Sequence, residues 1–315
     1  MDGAGPASLV QLPDPCLLAV LKCCADDRVS LANAALTHSR LHQAAVLALS
    51  SVTVYARTQQ HVDSLLMYLS KHGGHVDSLA LEGPHFLPGV QVPQQQLQYL
   101  PPNLRLHSCK VYFLDVQLQP GSGFQGVVRS GVPLKRLQLY GCLLLDGVEG
   151  LAAALALLPG LEYLSVYRTN RGKDDLQLLA DALSGLQQLT YLELDDGNFR
   201  GPHKGTRSLQ PLQSLTRLVT LRLAPHQYVD IGSSMLSGMQ HLSHLRLAGH
   251  ALLKPVALGA ITNLQHLGVV PGTWLCSVLF FSCRTAITAA ASAASDTPGP
   301  FGKLLQQYQL VQLTL

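Results

Sequence analysis

One short phrase recurs along this chain, and its recurrence narrows the folds open to it more than any other feature. Leu161-Glu-Tyr-Leu164-Ser-Val166 and Leu189-Thr-Tyr-Leu192-Glu-Leu194 both carry apolar residues at positions 1, 4 and 6. In an extended strand, positions 4 and 6 point to one face and positions 3, 5 and 7 to the other. Between the two copies, residues 175–183 have helical periodicity and end at Ser184-Gly185. The unit is therefore strand, turn, helix, turn.

The same phrase is found at Val76/Leu79/Leu81, Leu134/Leu137/Leu139, Leu218/Leu221/Leu223, Leu242/Leu245/Leu247, Leu264/Leu267/Val269 and Leu310/Leu313/Leu315, with a weaker copy at Leu104/Leu106. From Leu134 to Leu264 the steps are 27, 28, 29, 24 and 22 residues. A strand and a helix alternating at that period define a leucine-rich repeat. The expected fold is an α/β leucine-rich-repeat solenoid, a horseshoe whose array occupies residues 51–315. Ser51-Val-Thr-Val54 reads as its first strand and residues 61–72 as a helix ended by Gly73-Gly74. Two sections are irregular. Residues 84–133 hold seven prolines and a glutamine patch at 94–98, and fit one or two degenerate repeats. Residues 271–309 are expected to hide a further degenerate repeat beside a loose loop. The chain stops on Leu315, the last apolar position of a strand, with no cap behind it, so an exposed apolar edge and a fragment are expected.

Composition agrees with an array that buries a continuous apolar seam: 47% of residues are hydrophobic and only 13% charged, against about 25% charged in an ordinary domain. A net charge of +3 from 22 basic and 19 acidic residues contains no basic stripe, so nucleic acid is not an implied partner. The first eight residues lack the basic and apolar regions of a signal peptide. The apolar run at 274–283 is half the length that a membrane span requires. A soluble chain, cytoplasmic or nuclear, is expected. Seven cysteines, an odd number without CxxC pairs, argue against disulfides and structural zinc. Cys109 and Cys142 each lie three residues after an apolar strand position, where such repeats place a small turn-capping residue.

Residues 9–50 differ from the repeats. Leu12-Pro13-Asp14-Pro15 opens a helix with Asp14 as cap and Pro15 at its first position. Cys16, Leu17, Val20, Leu21 and Cys24 follow at helical spacing, and Val29, Leu31, Leu36 and Leu41 extend the pattern through two more short helices. The order Leu12-Pro13-Asp14, Leu17-Leu18, Val20-Leu21, Leu31 and Leu36-Thr-His-Ser-Arg40-Leu41 resembles an F-box. Leu41 stands where that motif usually has Trp and His38 where it has Cys, and the middle is slightly longer. An F-box just ahead of leucine-rich repeats is a known family architecture. The resemblance implies a substrate receptor of an SCF-type cullin-RING ubiquitin ligase, acting in ubiquitin-dependent protein degradation. Leu12, Pro13, Leu17, Leu18, Leu21 and Leu41 would then hold a Skp-type adaptor, itself joined to a cullin scaffold. The competing reading of residues 9–50 is a plain helical cap over the first repeat, and one segment can serve both ends.

No catalytic constellation accompanies these features. Gly121-Ser-Gly123-Phe-Gln-Gly126-Val-Val128 matches a phosphate-binding glycine pattern. It lacks the kinase lysine, catalytic loop and DFG, and it lacks a βαβ setting; it reads as a loop. His244 and His266 both occupy position 3 of neighbouring strands, about 4.8 Å apart. No third ligand falls beside them, so no metal or other cofactor is expected. What remains is the concave face, which repeat proteins use for binding. Its position-3 row is Arg136, Tyr163, Tyr191, Thr220, His244, His266, and its position-5 row Gln138, Ser165, Glu193, Arg222, Arg246, Gly268. Position 7 adds Tyr140, Tyr167 and Asp195. Tyrosine and arginine are frequent interface anchors. Tyr140, Tyr163, Tyr167, Tyr191, Arg222, His244 and Arg246 are therefore the candidate contacts for a target protein of unknown identity, against the alternative of an ordinary solvated sheet face. A non-catalytic interaction scaffold with no ligase is the second functional reading.

Overall fold

The computed structural model describes residues 9–23, 33–34, 36–84, 96–97, 100–101, 104–117, 133–167, 176–195, 207–224, 229–248, 251–253 and 260–269. The glycine pattern at 121–126, the apolar run at 274–283 and the last repeat at 310–315 lie outside them. Packing divides the chain into two compact units, Met1–Leu134 and Lys135–Leu315. The boundary expected near residue 50 thus falls inside the first unit, which holds both the helical segment and the first repeats.

The first unit begins with α1 (Asp14–Cys23) and α2 (Ser39–Ala48). Helical backbone is also present at 33–34 and 36–37. Leu17 and Leu21, one turn apart on α1, close on Leu41, Ala44, Ala45 and Ala48 of α2 to form a small core. Arg40 fastens the entry to α1. Its guanidinium donates to the carbonyls of Val10 (2.6 Å) and Leu12 (3.0 Å) and pairs with Asp14. Then come β1 (Ser51–Tyr55), α3 (Gln59–His72), β2 (Ser78–Glu82), β3 (Gln96–Leu97), β4 (Ser108–Tyr112) and β5 (Asp115–Val116). Thr58 caps α3 by accepting from the His61 amide at 3.4 Å, and Val62, Leu65, Leu66 and Leu69 form its buried stripe. Strands β1, β2 and β4 are parallel neighbours in strict register.

That register corrects one expectation. Cys109 pairs with Leu79, so it occupies position 4 of the strand and not the turn after it. The repeat in the proline-rich section reads Leu106/Cys109/Val111, with each of the three fully buried. Cysteine in place of leucine, a small apolar side chain that packs well, hid the phrase.

The second unit carries β6 (Arg136–Tyr140), β7 (Leu143–Leu144), α4 (Gly147–Ala156), β8 (Tyr163–Tyr167), α5 (Leu176–Leu183), β9 (Tyr191–Asp195), β10 (Arg207–Ser208), β11 (Thr220–Ala224), β12 (Val229–Ile231), α6 (Ser233–Ser237), β13 (His244–Leu247), β14 (Ala251–Leu253) and β15 (His266–Val269). Strands β6, β8, β9, β11, β13 and β15 pair in parallel without a register slip. A second parallel sheet, β10–β12–β14, follows the first at the later repeats. The crossover shortens along the unit. Helices of 10 and 8 residues in α4 and α5 give way to a 3₁₀ turn (Gln210–Ser214) and to the 5 residues of α6. Repeat length alone does not set this, since the 3₁₀ turn lies in the 29-residue repeat from Leu189 and α6 in the 24-residue repeat from Leu218. Cys142 is buried just after β6, with its thiol 3.5 Å from the Tyr140 carbonyl.

One backbone contact joins every pair of successive repeats from β6 to β15. The carbonyl at position 2 accepts from two amides of the next repeat: Lys135 from Glu162 and Tyr163, Glu162 from Thr190 and Tyr191, Thr190 from Val219 and Thr220, Val219 from Ser243 and His244, and Ser243 from Gln265 and His266. Buried backbone groups must be paired, and this ladder pairs them at the point where the chain enters each strand. Two glycines serve the tight corners. Gly141 turns the chain after β6 at φ 61°, where a side chain is strained. At Gly238 a Cβ would collide with the Gln213 carbonyl of the preceding repeat. The unit is an α/β leucine-rich-repeat fold, with Leu137, Leu139, Leu164, Val166, Leu192, Leu194, Leu221, Leu223, Leu245 and Leu247 all buried on the inner face.

Candidate functional site

The outer face of the second unit's main sheet carries the odd positions. The observed pairing sets Arg136, Tyr163, Tyr191, Thr220, His244 and His266 in one row and Gln138, Ser165, Glu193, Arg222, Arg246 and Gly268 in the next. Tyr140, Tyr167, Asp195 and Ala224 form the third. Parallel sheets are ordinarily covered on both faces. Here the outer rows are instead half-covered by one another.

Stacking does much of the covering. Tyr163 and Tyr191 lie 4.1 Å apart between ring centroids at 6°, and Tyr140 and Tyr167 lie 4.7 Å apart at 8°. The four tyrosines therefore make two separate stacks, in rows 3 and 7, with Gln138 and Ser165 between them. Guanidinium groups close the ends of the first stack: Arg136 sits 4.9 Å from the Tyr163 ring centre and Arg222 5.6 Å from that of Tyr191. Cation–π contacts of this kind contribute about 0.5–1 kcal/mol at exposed sites.

Glu193 ties the two middle rows together. It accepts from the Ser165 hydroxyl at 2.9 Å and from the Tyr191 hydroxyl at 3.1 Å, and lies 3.7 Å from the Arg222 guanidinium. Burial raises the Tyr191 phenol well above its ordinary pKa, helped by the Tyr163 hydroxyl and the Glu193 charge and opposed by Arg222. Tyr191 is thus a permanent hydrogen-bond donor. Lys135 and Glu162 pair at 2.9 Å on the rim.

Toward β15 the chemistry changes. The His244 and His266 rings stack at 4.4 Å and 25°, and the Ser243 hydroxyl lies 2.7 Å from His244 Nδ1. Burial, His266 and Arg222, in that order, lower the His244 pKa. Near-parallel imidazoles do not converge on one ion, and no group of three metal-ligating side chains occurs among the described residues.

The proposed target contacts Tyr140, Tyr163, Tyr167, Tyr191, Arg222, His244 and Arg246 all lie on this outer face. Arg136, Glu193 and His266 belong with them, since each touches a member of that set. Alternation alone placed them in the rows. Nothing in the sequence said that Arg136 would cap a ring or that Glu193 would gather three donors. The adaptor candidates divide differently. Leu17, Leu21 and Leu41 are buried in the core of their own helical segment, so they hold α1 to α2 and are closed to a partner. Leu12 and Leu18 are half-buried and Pro13 is exposed, as are Cys16, Val20 and Leu36. No helix among the described residues is long and apolar enough to cross a membrane.

The sequence matches no protein-family model, and no curated protein is a match for it. Among solved structures the chain is similar to internalin C2 from Listeria monocytogenes, at 17% identity and a TM-score of 0.45, covering 85% of this chain and 98% of that one. It is also similar to internalin InlF from the same organism (16% identity, TM-score 0.36, 85% and 79% covered). A third is TLR13 in its complex with ssRNA13 (15% identity, TM-score 0.44, 75% and 35% covered).

Proposed function

We propose that this chain is a recognition subunit that binds a protein target on the outer face of β6–β15 and performs no chemistry itself. The observation that carries this reading is the ordered face: two tyrosine stacks, two arginine caps and a shared carboxylate, all held on strands. Rigid aromatic groups lose little entropy on binding, which is why they serve as anchors. Within this reading the N-terminal segment is an F-box-like module that brings the chain to a Skp-type adaptor and a cullin scaffold. The subunit would then raise the local concentration of a target lysine near a ubiquitin-loaded enzyme. The sequence resemblance supports that role, and the accessible Leu12, Pro13 and Leu18 are its available contacts.

The second reading is a recognition scaffold in which residues 9–50 serve only as a cap. The burial of Leu17, Leu21 and Leu41 within the segment favours it. Co-purification of the full chain with a Skp-type adaptor separates the two, with a Leu12→Ala/Pro13→Ala variant beside the parent. The ligase reading expects capture by the parent and loss in the variant, with unchanged circular dichroism. Absence of capture by a folded parent leaves the scaffold.

A further inference from the structure

We propose that the β11–β13–β15 end of the outer face is an anion subsite, formed by Arg246, His244 and His266, which takes a carboxylate side chain from an extended acidic segment of a partner protein. The proposal rests on the reading of this face as the target-binding surface and adds the chemistry of what is bound there.

The first ground is the distribution of charge. Glu193 is already shared among Ser165, Tyr191 and Arg222. One strand further on, Arg246 is exposed and has no carboxylate in register beside it. Its neighbours in the row are Arg222 and Gly268. Gly268 puts no side chain of β15 next to Arg246, whose stem lies across that glycine. Positions 3 and 5 of β11, β13 and β15 hold Thr220, Arg222, His244, Arg246, His266 and Gly268, and none is acidic. An arginine fork suits a carboxylate, which it can grip with two parallel hydrogen bonds.

The second ground is the histidine pair. His244 lies in register between Thr220 on β11 and His266 on β15. Arg222 of β11 is near enough to act on its charge and Arg246 stands two residues further along its own strand, so these charged neighbours are all of one sign when charged. That setting resists protonation of the free protein, in keeping with the lowered His244 pKa. A carboxylate placed among these groups reverses the balance, so binding takes up a proton. Ser243 occupies His244 Nδ1, and Nε2 is the nitrogen left for the ligand.

The third ground separates a peptide from a nucleic acid. Single strands bind by stacking bases on open aromatic faces along a basic groove. Here Tyr163 and Tyr191 cover each other, as do Tyr140 and Tyr167, and Arg136 and Arg222 lie over the ends of the first stack. What Tyr163 and Tyr191 present is ring edges and hydroxyls, which bond well to a peptide backbone or a polar side chain. Covered ring faces likewise make a poor cage for a quaternary ammonium group.

The test is selection from a random peptide display library on the immobilised full chain, followed by affinity measurements with the selected peptides. Peptides rich in Asp or Glu are expected. Their affinity should fall about tenfold in Arg246→Ala, recover in part in Arg246→Lys, and rise severalfold from about pH 8 to about pH 6. That pH response should disappear in a His244→Gln/His266→Gln variant. All the substituted side chains lie on the outer strand positions, and circular dichroism checks the fold of each variant. Selected peptides that are sensitive to Tyr191→Ala but carry no acidic preference would overturn the subsite and leave the binding face standing. If no selected peptide responds to Tyr191→Ala or to Arg246→Ala, the binding face falls and the subsite with it. An oligouridine strand that competes as tightly as the best peptide would overturn the proposal in favour of nucleic acid.

Discussion

Asp115 and Ser165 are the buried polar side chains among the described residues, and they are treated differently by their surroundings. Ser165 spends its hydroxyl on Glu193 at 2.9 Å. Asp115, in β5, has its pKa raised by burial. A carboxyl whose pKa is higher in the folded state than in the unfolded one favours folding at low pH. That contribution is lost as pH rises through the folded-state value. At neutral pH the ionised, desolvated group therefore weakens the fold. Asp115→Asn, which keeps the shape and removes the charge, should raise the urea midpoint at pH 7 and lose that advantage as pH falls toward 4. A midpoint that drops at both pH values would mean that the carboxylate's own contacts outweigh its burial. The sequence gives no warning of this, because Asp115 stands in a two-residue strand inside a proline-rich stretch. By contrast, the ladder of Tyr163 beside Tyr191 and His244 beside His266 is legible from alternation alone, since a parallel sheet without bulges keeps like positions adjacent.

Among the elements, the helical segment shows how a basic residue can act as a latch. Arg40 lies on α2, yet its hydrogen bonds go to the carbonyls of Val10 and Leu12 and its charge to Asp14, all at the entry to α1. It thereby fixes Leu12-Pro13, the accessible part of the motif, relative to the buried Leu17–Leu21–Leu41 core. Charge-assisted bonds of this type contribute about 1.5–3 kcal/mol where they are shielded, and the part-exposed guanidinium discounts that toward about 1 kcal/mol. Arg40→Gln should accordingly lower the melting of the first unit by a few degrees and increase protease cleavage around residues 9–13. An unchanged cleavage rate would show that α1 and α2 hold the entry without the latch. The strands were readable before the structure because leucine at 1, 4 and 6 leaves one burial solution. The crossovers were less so. Their form does not follow repeat length: the 29-residue repeat from Leu189 has a 3₁₀ turn where the 27-residue repeat from Leu134 has the 10 residues of α4. The short strands β10, β12 and β14 carry only two or three residues each, too few for a period to be recognised.

At the scale of the molecule, stability in a repeat fold is a sum of local terms, because each repeat touches chiefly its neighbours. The second unit has this pattern: its strands pair in chain order, and the position-2 carbonyl of each repeat accepts from two amides of the next. A lesion should then loosen its own repeat most and distant repeats least. Cys142, buried after β6, is a natural reporter. Leu164 on β8 pairs beside β6, whereas Leu245 on β13 stands four strands away in the same sheet. The two side chains are equally buried, so Leu→Ala should cost a similar amount at either place, about 2–5 kcal/mol. Under native conditions, however, Leu164→Ala should speed thiol labelling at Cys142 more than Leu245→Ala does, read at that residue by mass spectrometry. Nearest-neighbour coupling requires that difference, since opening β8 removes the partner of β6 while opening β13 leaves β8, β9 and β11 in place. Equal acceleration by both would mean that the second unit opens only as a whole, and its repeats would then count as one cooperative body.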